Sequence, residues 1–184
     1  MSEPKTSTFQ KDFLEFLKTL AISFLIVFLL VHYVARPIRV QGDSMYPTLH
    51  DGAVGVANIA GLNLNGIRRF DVVIIWVEDK KEYLVKRVVG LPGETVSYQN
   101  DQLYINGQAV AEDFFNTEYK NSSTKPFTGD IDEITLGSDE YYCLGDNRPF
   151  SRDSRYYGPF TRSMIVAKGA LILYPFNEFG VATW

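Results

Sequence analysis

Residues 19–35, TLAISFLIVFLLVHYVA, form an apolar stretch that contains no aspartate, glutamate, lysine or arginine. As an α-helix this stretch would rise about 25 Å, slightly less than the roughly 30 Å of a hydrocarbon core. Apolar residues between positions 13 and 17 extend it, and the Lys18 side chain can reach the interface. Because the stretch is apolar on all sides rather than along one stripe, it predicts a membrane-spanning helix and not a buried core helix.

A cleaved signal peptide is the remaining alternative for this stretch. Such a peptide has a shorter apolar run and ends in small residues. Here Ala35 is small, but the bulky Tyr33 lies two residues earlier. Arg36 and Pro37 follow directly and predict the end of the helix. These features favour an uncleaved signal anchor.

The charges indicate how the chain is oriented about this anchor. Residues 1–35 carry three basic and three acidic side chains, so the whole net charge of -4 belongs to residues 36–184. Lysines precede the anchor and arginines follow it, so the positive-inside bias is slight. An acidic part that follows one N-terminal anchor fits export. We therefore predict a cytoplasmic segment (1–18), a transmembrane signal anchor (19–35) and an extracytoplasmic β-rich domain (36–184).

The composition excludes several classes of protein. The acidic balance argues against nucleic-acid binding, which requires a basic face. Cys143 is the single cysteine, so an intramolecular disulfide framework is excluded. With only His32 and His50 in addition, the usual zinc ligand sets are excluded as well. At 46% hydrophobic and 22% charged residues, the chain has the composition of a folded domain.

After Pro37 the pattern changes to short β-type runs separated by turn residues. Asn106-Gly107, between two such runs, is typical of a β-hairpin. The polar stretch 116–132 is interpreted as an exposed loop. We predict a mainly β fold, an antiparallel β-sheet catalytic domain preceded by one transmembrane helix. The predicted strands are 38–41, 71–77, 83–89, 95–98, 102–105, 140–144 and 168–174.

Ser44 is a candidate nucleophile. It follows a predicted strand at the tight Gly42-Asp43 turn, a position that can expose a hydroxyl and leave backbone N–H groups free for an oxyanion. The alternative is that these residues only form a turn or cap a short helical turn near Pro47, and taken alone this alternative is the commoner case. A nucleophilic serine also needs a base.

Lys86 is the most informative candidate for that base. Strand alternation places Lys86 on the same face as Leu84 and Val88, and Arg87 on the opposite face. An ammonium held against apolar surface is desolvated, which lowers its pKa towards the range of a general base. The alternative is an edge-strand lysine whose amine extends to water.

A third cluster lies in 145–158, where aspartates, arginines, serines and an asparagine follow an apolar strand. A serine hydroxyl there could orient a base, and Asp–Arg pairs could fix the loop. By composition alone, a solvated charged loop is the simpler interpretation.

Together these stretches resemble the signature boxes of bacterial type I signal peptidases. The boxes are Gly42-Asp-Ser-Met-Tyr-Pro-Thr-Leu49, Lys86-Arg-Val-Val-Gly-Leu-Pro-Gly93 and Gly145-Asp-Asn-Arg with Ser151-Arg-Asp-Ser-Arg155. The stretch Arg69-Phe-Asp-Val-Val-Ile74 is similar to the intervening strand box of that family. The resemblance spans nearly the whole chain, and its compact spacing and single anchor resemble the short Gram-positive form.

The resemblance implies a role for each matching residue. Ser44 would be the nucleophile and Lys86 the general base of a Ser–Lys dyad. The Ser44 N–H would hold the oxyanion with help from the turn at Gly42, where some relatives have a serine. Ser151 would hydrogen-bond the Lys86 amine and orient it. A supporting shell of ion pairs would be formed by Arg87, Asp146, Asp153 and Arg155. The implied mechanism requires no metal and no cofactor.

The implied partners are secretory pre-proteins, whose signal peptides would be cut after small residues at positions -1 and -3, and the lipid bilayer. The peptide would add as a strand beside 38–42, at the outer face of a bacterial plasma membrane. The candidate pocket residues are Met45, Leu49, Leu84 and Val85. Exposed loops could also contact lipid through Phe150, Phe160, Phe176 and Phe179, but core packing is the preferred interpretation of these residues.

Two rival functions stay open at this point. One is a self-cleaving repressor-type Ser–Lys peptidase, against which the anchor and the lack of an N-terminal DNA-binding segment count. The other is a catalytically silent, membrane-anchored relative that assists the assembly of exported proteins. The presence of both Ser44 and Lys86 argues against the silent alternative.

Overall fold

The computed structural model describes residues 6–115, 117–121 and 126–182. Helix α1 (Thr6–Leu29) continues as a π-helical segment, Leu30–Val34. Within it, Phe9–Val34 is apolar and long enough to cross a membrane. The apolar helix therefore extends beyond the predicted 19–35 at its N-terminal side. It ends at Val34, and Ala35 already belongs to the first strand, so the anchor joins the β domain without a linker.

The domain is built from short strands, as predicted. In chain order they are β1 (Ala35–Arg39), β2 (Val54–Asn58), β3 (Val72–Val77), β4 (Glu82–Gly90), β5 (Thr95–Gln99), β6 (Gln102–Ile105), β7 (Gln108–Val110), β8 (Ile131–Thr135), β9 (Glu140–Leu144), β10 (Phe160–Thr161), β11 (Ile165–Lys168), β12 (Ala170–Tyr174) and β13 (Gly180–Ala182). The short helices are α2 (Ile59–Asn65), α3 (Thr117–Asn121) and α4 (Ser154–Tyr157). Turns of 3₁₀ helix cover Arg148–Phe150, Arg162–Met164 and Phe176–Glu178.

The strands form three antiparallel sheets. Sheet one has the order β1-β2-β12-β13, sheet two β10-β9-β4-β3-β11 and sheet three β7-β6-β5-β8. Separate groups of buried side chains cover the sheets, and Met45 and Leu49 lie in the group beside sheet one. A mainly antiparallel β fold with one N-terminal apolar helix is thus confirmed.

Strand β4 runs through the centre of sheet two and changes its environment along its length. Its first half pairs only with β3, whereas from Arg87 onward it also pairs with β9. The burial pattern follows this pairing, because side chains are exposed at Glu82 and Tyr83 and fully buried from Lys86 to Gly90. In the described structure, the first half of β4 therefore has a free edge on the side away from β3. Lys86 is the last residue before β9 covers that edge, and it is the first buried residue of the strand.

Several elements differ from the prediction. The predicted strand 168–174 is interrupted at Gly169: Lys168 ends β11 and Ala170–Tyr174 forms β12, because Gly169 takes a left-handed conformation (φ 65°) and the two strands belong to different sheets. Strand β2 was not predicted, since it contains Gly55 and Ala57 in place of bulky residues. A side chain at position 55 would collide with the backbone of Leu171 on β12, so glycine permits this close approach. Helix α2 was not predicted either, and the Asn58 side chain caps it by accepting the Gly61 N–H.

The stretch 116–132 is not simply an exposed loop. Among its described residues, Thr117–Asn121 forms α3 and Ile131 begins β8. The ring of Phe127 is buried, and the Asp101 carboxylate accepts the N–H groups of Phe127, Thr128 and Gly129. The Asp101 carboxylate and the buried Phe127 ring thus hold residues 127–129 in place, although their composition is typical of a loop.

Candidate active site

The fold brings Ser44 and Lys86 into direct contact. Ser44 lies in the turn after Val40, and Lys86 lies on β4 opposite Val73 of β3. Lys86 Nζ donates a hydrogen bond of 2.7 Å to Ser44 Oγ. Lys86 is 2% exposed, and Ser44 is half-buried. The arrangement places a buried amine against the hydroxyl of a serine that solvent can reach.

Burial changes the acidity of this amine. Desolvation lowers the pKa of Lys86 from 10.5 to about 8, although the negative charges of Asp153 and Asp146 act in the opposite direction. An amine with this pKa is neutral in an appreciable fraction of molecules near neutral pH. It can then accept a proton from the serine hydroxyl.

The orienting contact expected from Ser151 is absent. Ser151 Oγ is buried and makes no hydrogen bond to Lys86; its hydroxyl interacts instead with the Asp153 carboxylate and helps to lower the pKa of that group. It lies against Gly145, where an added side chain would collide with both Ser151 Oγ and the Ser44 carbonyl oxygen. The second hydrogen bond of Lys86 goes instead to the carbonyl oxygen of Val85, at 2.9 Å.

The contribution expected from Gly42 also differs. Gly42 adopts φ 77°, the left-handed region that favours glycine, and so allows the tight turn before Ser44. Its N–H donates to Asp51 Oδ1 at 2.8 Å, so it is engaged within the protein and does not face a substrate. By contrast, the Ser44 N–H has no acceptor among the described residues. The Ser44 N–H is therefore available to a ligand at this turn, whereas the Gly42 N–H is not.

Arg87 and Asp146 form a fully buried ion pair beside the dyad. Arg87 Nε and Nη2 donate to the two carboxylate oxygens of Asp146 at 2.8 and 2.6 Å. The remaining Arg87 nitrogen donates to the Phe70 carbonyl oxygen, and Thr48 Oγ1 donates to Asp146. The Phe114 ring covers the guanidinium, 4.1 Å from its centre. This pair joins β4, the nucleophile turn and the loop that follows β9.

Asp153 and Arg155 form a second pair within that loop. Arg155 Nε and Nη2 donate to the Asp153 carboxylate, each at 2.8 Å, and the Gly145 N–H donates to it at 3.0 Å. Burial alone would raise the pKa of Asp153, but Arg155 and the Gly145 N–H hold it below its ordinary value. Asp153 is therefore an anion that accepts the Gly145 N–H. Its negative charge also raises the pKa of Lys86, against the effect of burial.

Other polar residues of the site were not singled out from the sequence. Arg148 is fully buried and donates to Glu112, Tyr98 and Thr128 of the region around sheet three. Asn147 donates to the turn that carries Ser44. Both residues lie inside the polar cluster 145–158, but their hydrogen-bond partners are distant in sequence. No local pattern identifies such contacts.

A cleft of about 710 Å³ opens between β1 and the free edge of β4. Leu84 and Val85, two of the four candidate pocket residues, line this cleft. Met45 and Leu49 do not: each is 1% exposed and packs in the core beside sheet one, so assigning them to the pocket was wrong. The other apolar lining residues are Pro37, Ile38, Ala57, Ile59, Ile74, Val166 and Ala167.

His50 and Cys143, which could serve as a base or a nucleophile elsewhere, make no hydrogen bond to Ser44 or Lys86 among the described residues. His50 Nδ1 is 2.9 Å from a Glu178 oxygen, and its ring packs against Tyr46. Cys143 is fully buried in the core of sheet two, and burial raises its pKa. Within the described part of the chain, no three His, Cys, Asp or Glu side chains are grouped as a metal site requires.

Comparison with known proteins gives a consistent result. The family model described as "Signal peptidase, peptidase S26" matches residues 13–174. Signal peptidase IB of Staphylococcus aureus (strain COL) is 35% identical over 180 residues, which cover 92% of this chain and 94% of that protein. Signal peptidase I T of Bacillus subtilis (strain 168) is 38% identical over 180 residues, with 96% and 91% covered. A crystal structure of a signal peptidase I from Enterococcus faecalis aligns with TM-score 0.51 and 35% identity, over 55% of this chain and 95% of that one.

Proposed function

The chain belongs to the signal peptidases of the peptidase S26 family, and we propose that it cleaves with Ser44 as nucleophile and Lys86 as general base. It is a membrane-anchored peptidase that removes signal peptides, and the silent alternative is not favoured. One observation carries the assignment of the dyad: a 2.7 Å contact joins Ser44 Oγ to a buried lysine amine. The direct test is cleavage of a model pre-protein by the purified full chain in detergent.

In the acylation half of the reaction, the neutral Lys86 amine accepts the Ser44 proton while Ser44 Oγ attacks the scissile carbonyl carbon. The carbonyl oxygen becomes an anion in the tetrahedral intermediate. The C–N bond then breaks, and the Lys86 ammonium returns its proton to the leaving amine. This step releases the mature protein as the amine product and leaves the signal peptide as an ester on Ser44.

In the deacylation half, Lys86 accepts a proton from water, whose oxygen attacks the ester carbonyl carbon. Collapse of the second intermediate breaks the C–O bond to Ser44, which regains its proton from Lys86. The signal peptide leaves as a carboxylate. The Val85 carbonyl oxygen supports both steps, since it holds the amine beside Ser44 Oγ.

The oxyanion of both intermediates would be held by the Ser44 N–H, which is free of protein acceptors in the described structure. Gly42 does not add a second donor, since its N–H is bound by Asp51. Its contribution is conformational, because it allows the turn to adopt a positive φ.

The substrate would bind as an extended strand between the free edges of β1 and β4. Alternate side chains of a strand point the same way, so residues -1 and -3 of the signal peptide would face one wall together. Ile38, Ile74, Leu84 and Val85 line this part of the cleft, and we infer that their branched side chains would favour small residues over large ones there. These contacts support specificity for small residues at both positions.

The anchor would hold the dyad near the outer membrane surface, with the residues that precede the membrane span in the cytoplasm and the β domain outside. Sheet one continues from the anchor, and its far strands expose apolar side chains. Phe176 and Phe179 are 80% and 64% exposed, and Phe150 is also exposed. Phe160 is 1% exposed and belongs to the core, which agrees with core packing as the preferred interpretation of this residue and removes it from the lipid-contacting candidates. Contact between bilayer and the Phe176–Phe179 turn follows from these exposures.

A spin label measures this contact directly. Labels placed through Phe176→Cys or Phe179→Cys in the full chain in lipid vesicles should be more accessible to oxygen than to a polar nickel complex. Cys143 is buried and should not react. The matched control is Glu133→Cys on β8, an exposed site in sheet three that should show the opposite preference. Equal accessibility at all three labels would argue against lipid contact.

The rate should depend on pH as the protonation of Lys86 requires. With a pKa of about 8, kcat/KM for a peptide substrate should rise about tenfold per pH unit below pH 7.5 and level off above pH 9. Single-turnover measurements isolate the chemical step. A rate that is constant between pH 6.5 and 9 would contradict the role of Lys86 as base.

A further inference from the structure

Asn147 holds the turn that carries the nucleophile. Its backbone N–H donates to the Ser44 carbonyl oxygen at 3.1 Å. Its side-chain Nδ2 donates to the Asp43 carbonyl oxygen at 2.9 Å. Asn147 is only 5% exposed, so these hydrogen bonds are shielded from water. Two successive carbonyl groups of the turn are therefore fixed by one residue from the loop after β9.

The bond to Asp43 bears directly on the oxyanion donor. The Asp43 carbonyl and the Ser44 N–H belong to the same planar peptide unit and point in opposite directions. Fixing the carbonyl oxygen therefore fixes the direction of the N–H. A hydrogen bond accepted by the carbonyl also polarises the unit, which makes the N–H a stronger donor. The Ser44 N–H has no other acceptor among the described residues.

Tyr119 continues this chain of hydrogen bonds. Its hydroxyl donates to Asn147 Oδ1 at 2.7 Å. The Tyr119 ring packs edge-on against the rings of Tyr46 and Phe127, with centres 5.0 and 5.7 Å apart. These contacts fix the position of the hydroxyl. Tyr119 lies on α3, outside the stretches that resemble the family boxes.

We propose that Tyr119 and Asn147 are positioning residues that aim and polarise the Ser44 N–H towards the oxyanion. The proposal rests on the proposed function, in which that N–H stabilises the tetrahedral intermediates. In this series the Tyr119 O–H donates to the Asn147 side-chain oxygen, and the Asn147 side-chain N–H donates to the Asp43 carbonyl oxygen. The Ser44 N–H of the same peptide unit is then directed towards the oxyanion. Preorganised donors of this kind act where the charge develops, so they should favour the transition state over the bound substrate.

The engagement of Gly42 by Asp51 increases the importance of this series. With that N–H occupied, Gly42 cannot share the oxyanion with the Ser44 N–H, which has no acceptor among the described residues. A loss of one oxyanion donor typically lowers kcat about 10²- to 10³-fold. Weakening the donor through its neighbours should cost a fraction of that factor.

The experiment compares Tyr119→Phe, Asn147→Ala and the double variant of the full chain in detergent. Tyr119→Phe keeps the ring and removes only the hydroxyl, and should lower kcat about 5- to 10-fold with KM nearly unchanged. Asn147→Ala should lower kcat about 100-fold. Tyr104→Phe, on the partly buried β6 of sheet three, is the matched control and should leave kcat unchanged.

The double variant tests whether Tyr119 acts through Asn147. If it does, removing the Tyr119 hydroxyl should change little once Asn147 is alanine. A second measurement uses a peptide boronic acid, whose tetrahedral adduct with Ser44 places an oxygen at the oxyanion position. Its affinity should fall in parallel with kcat/KM across the variants, while the midpoint of the pH profile stays in place because the contacts of Lys86 are unchanged.

Three results would overturn the proposal. They are a Tyr119→Phe enzyme within twofold of the wild type, an equal loss from Tyr119→Phe in both backgrounds, and boronate affinities that do not change. If a melting experiment shows that Asn147→Ala is not folded, the kcat of Tyr119→Phe and its affinity for the boronate still test the proposal. Ser44→Ala is measured in parallel, because retained activity in that variant would refute the proposed function itself. A Tyr119→Phe enzyme with unchanged kcat would refute only this inference.

Discussion

Ser44→Ala and Lys86→Arg are each expected to lower kcat/KM for signal-peptide cleavage by about 10⁴-fold or more. Ser44→Ala removes the attacking oxygen. Lys86→Arg keeps a positive charge at the site but removes the base, because a guanidinium does not deprotonate at working pH. The measurement is cleavage of one model pre-protein by the wild type and both variants, side by side.

The matched control for this comparison is His50→Ala. His50 is the histidine closest in sequence to the nucleophile, but its side chain faces Glu178 and Tyr46. Its removal should leave kcat/KM within about twofold of the wild type. An active Lys86→Arg enzyme would refute the dyad, and an inactive but folded His50→Ala enzyme would point to a histidine base.

Asp146→Ala should destabilise the domain by about 3–5 kcal/mol. The substitution leaves the Arg87 guanidinium, which is completely buried, without its carboxylate partner. It also leaves Thr48 Oγ1 without its acceptor. Unfolding by urea in detergent, followed by circular dichroism of the β domain, gives the change in free energy. Activity should be lost as well, because the pair joins β4 to the nucleophile turn.

Two further variants make this result specific to a buried charge. Glu15→Gln removes an exposed pair with Lys18 and should change stability by less than about 0.5 kcal/mol. Arg87→Met combined with Asp146→Leu removes both charges together and should recover most of the stability lost by Asp146→Ala. If Asp146→Ala were as stable as Glu15→Gln, the buried pair would not be what holds these segments together.

The sequence predicted the parts of the site that depend on local pattern. Strand alternation placed Lys86 against apolar neighbours, and the Gly42-Asp43 turn presented Ser44. The roles of Ser44, Lys86 and the four shell residues stay predictions, although the structure brings Ser44 to Lys86 and pairs Arg87 with Asp146 and Asp153 with Arg155.

The parts that failed depend on partners far away in the chain. The burial of Met45 and Leu49 follows from packing against strands of sheet one, which no local window contains. Asp51 takes the Gly42 N–H, and Tyr119 reaches Asn147 from a segment that resembles a loop. The break at Gly169 was missed because the residues on both sides favour strands equally well. Hydrogen bonds of this kind are determined by the assembled fold.

Because Lys86 becomes buried only when the chain folds, the lowered pKa of its amine is a property of the folded state. In an unfolded chain the lysine has its ordinary pKa of 10.5 and remains an ammonium at neutral pH, whereas closure of sheet two lowers that value to about 8. At neutral pH the folded state therefore holds a much larger fraction of neutral Lys86 amine than the unfolded chain. In the mechanism proposed above, cleavage would therefore depend on the formation of sheet two around Lys86.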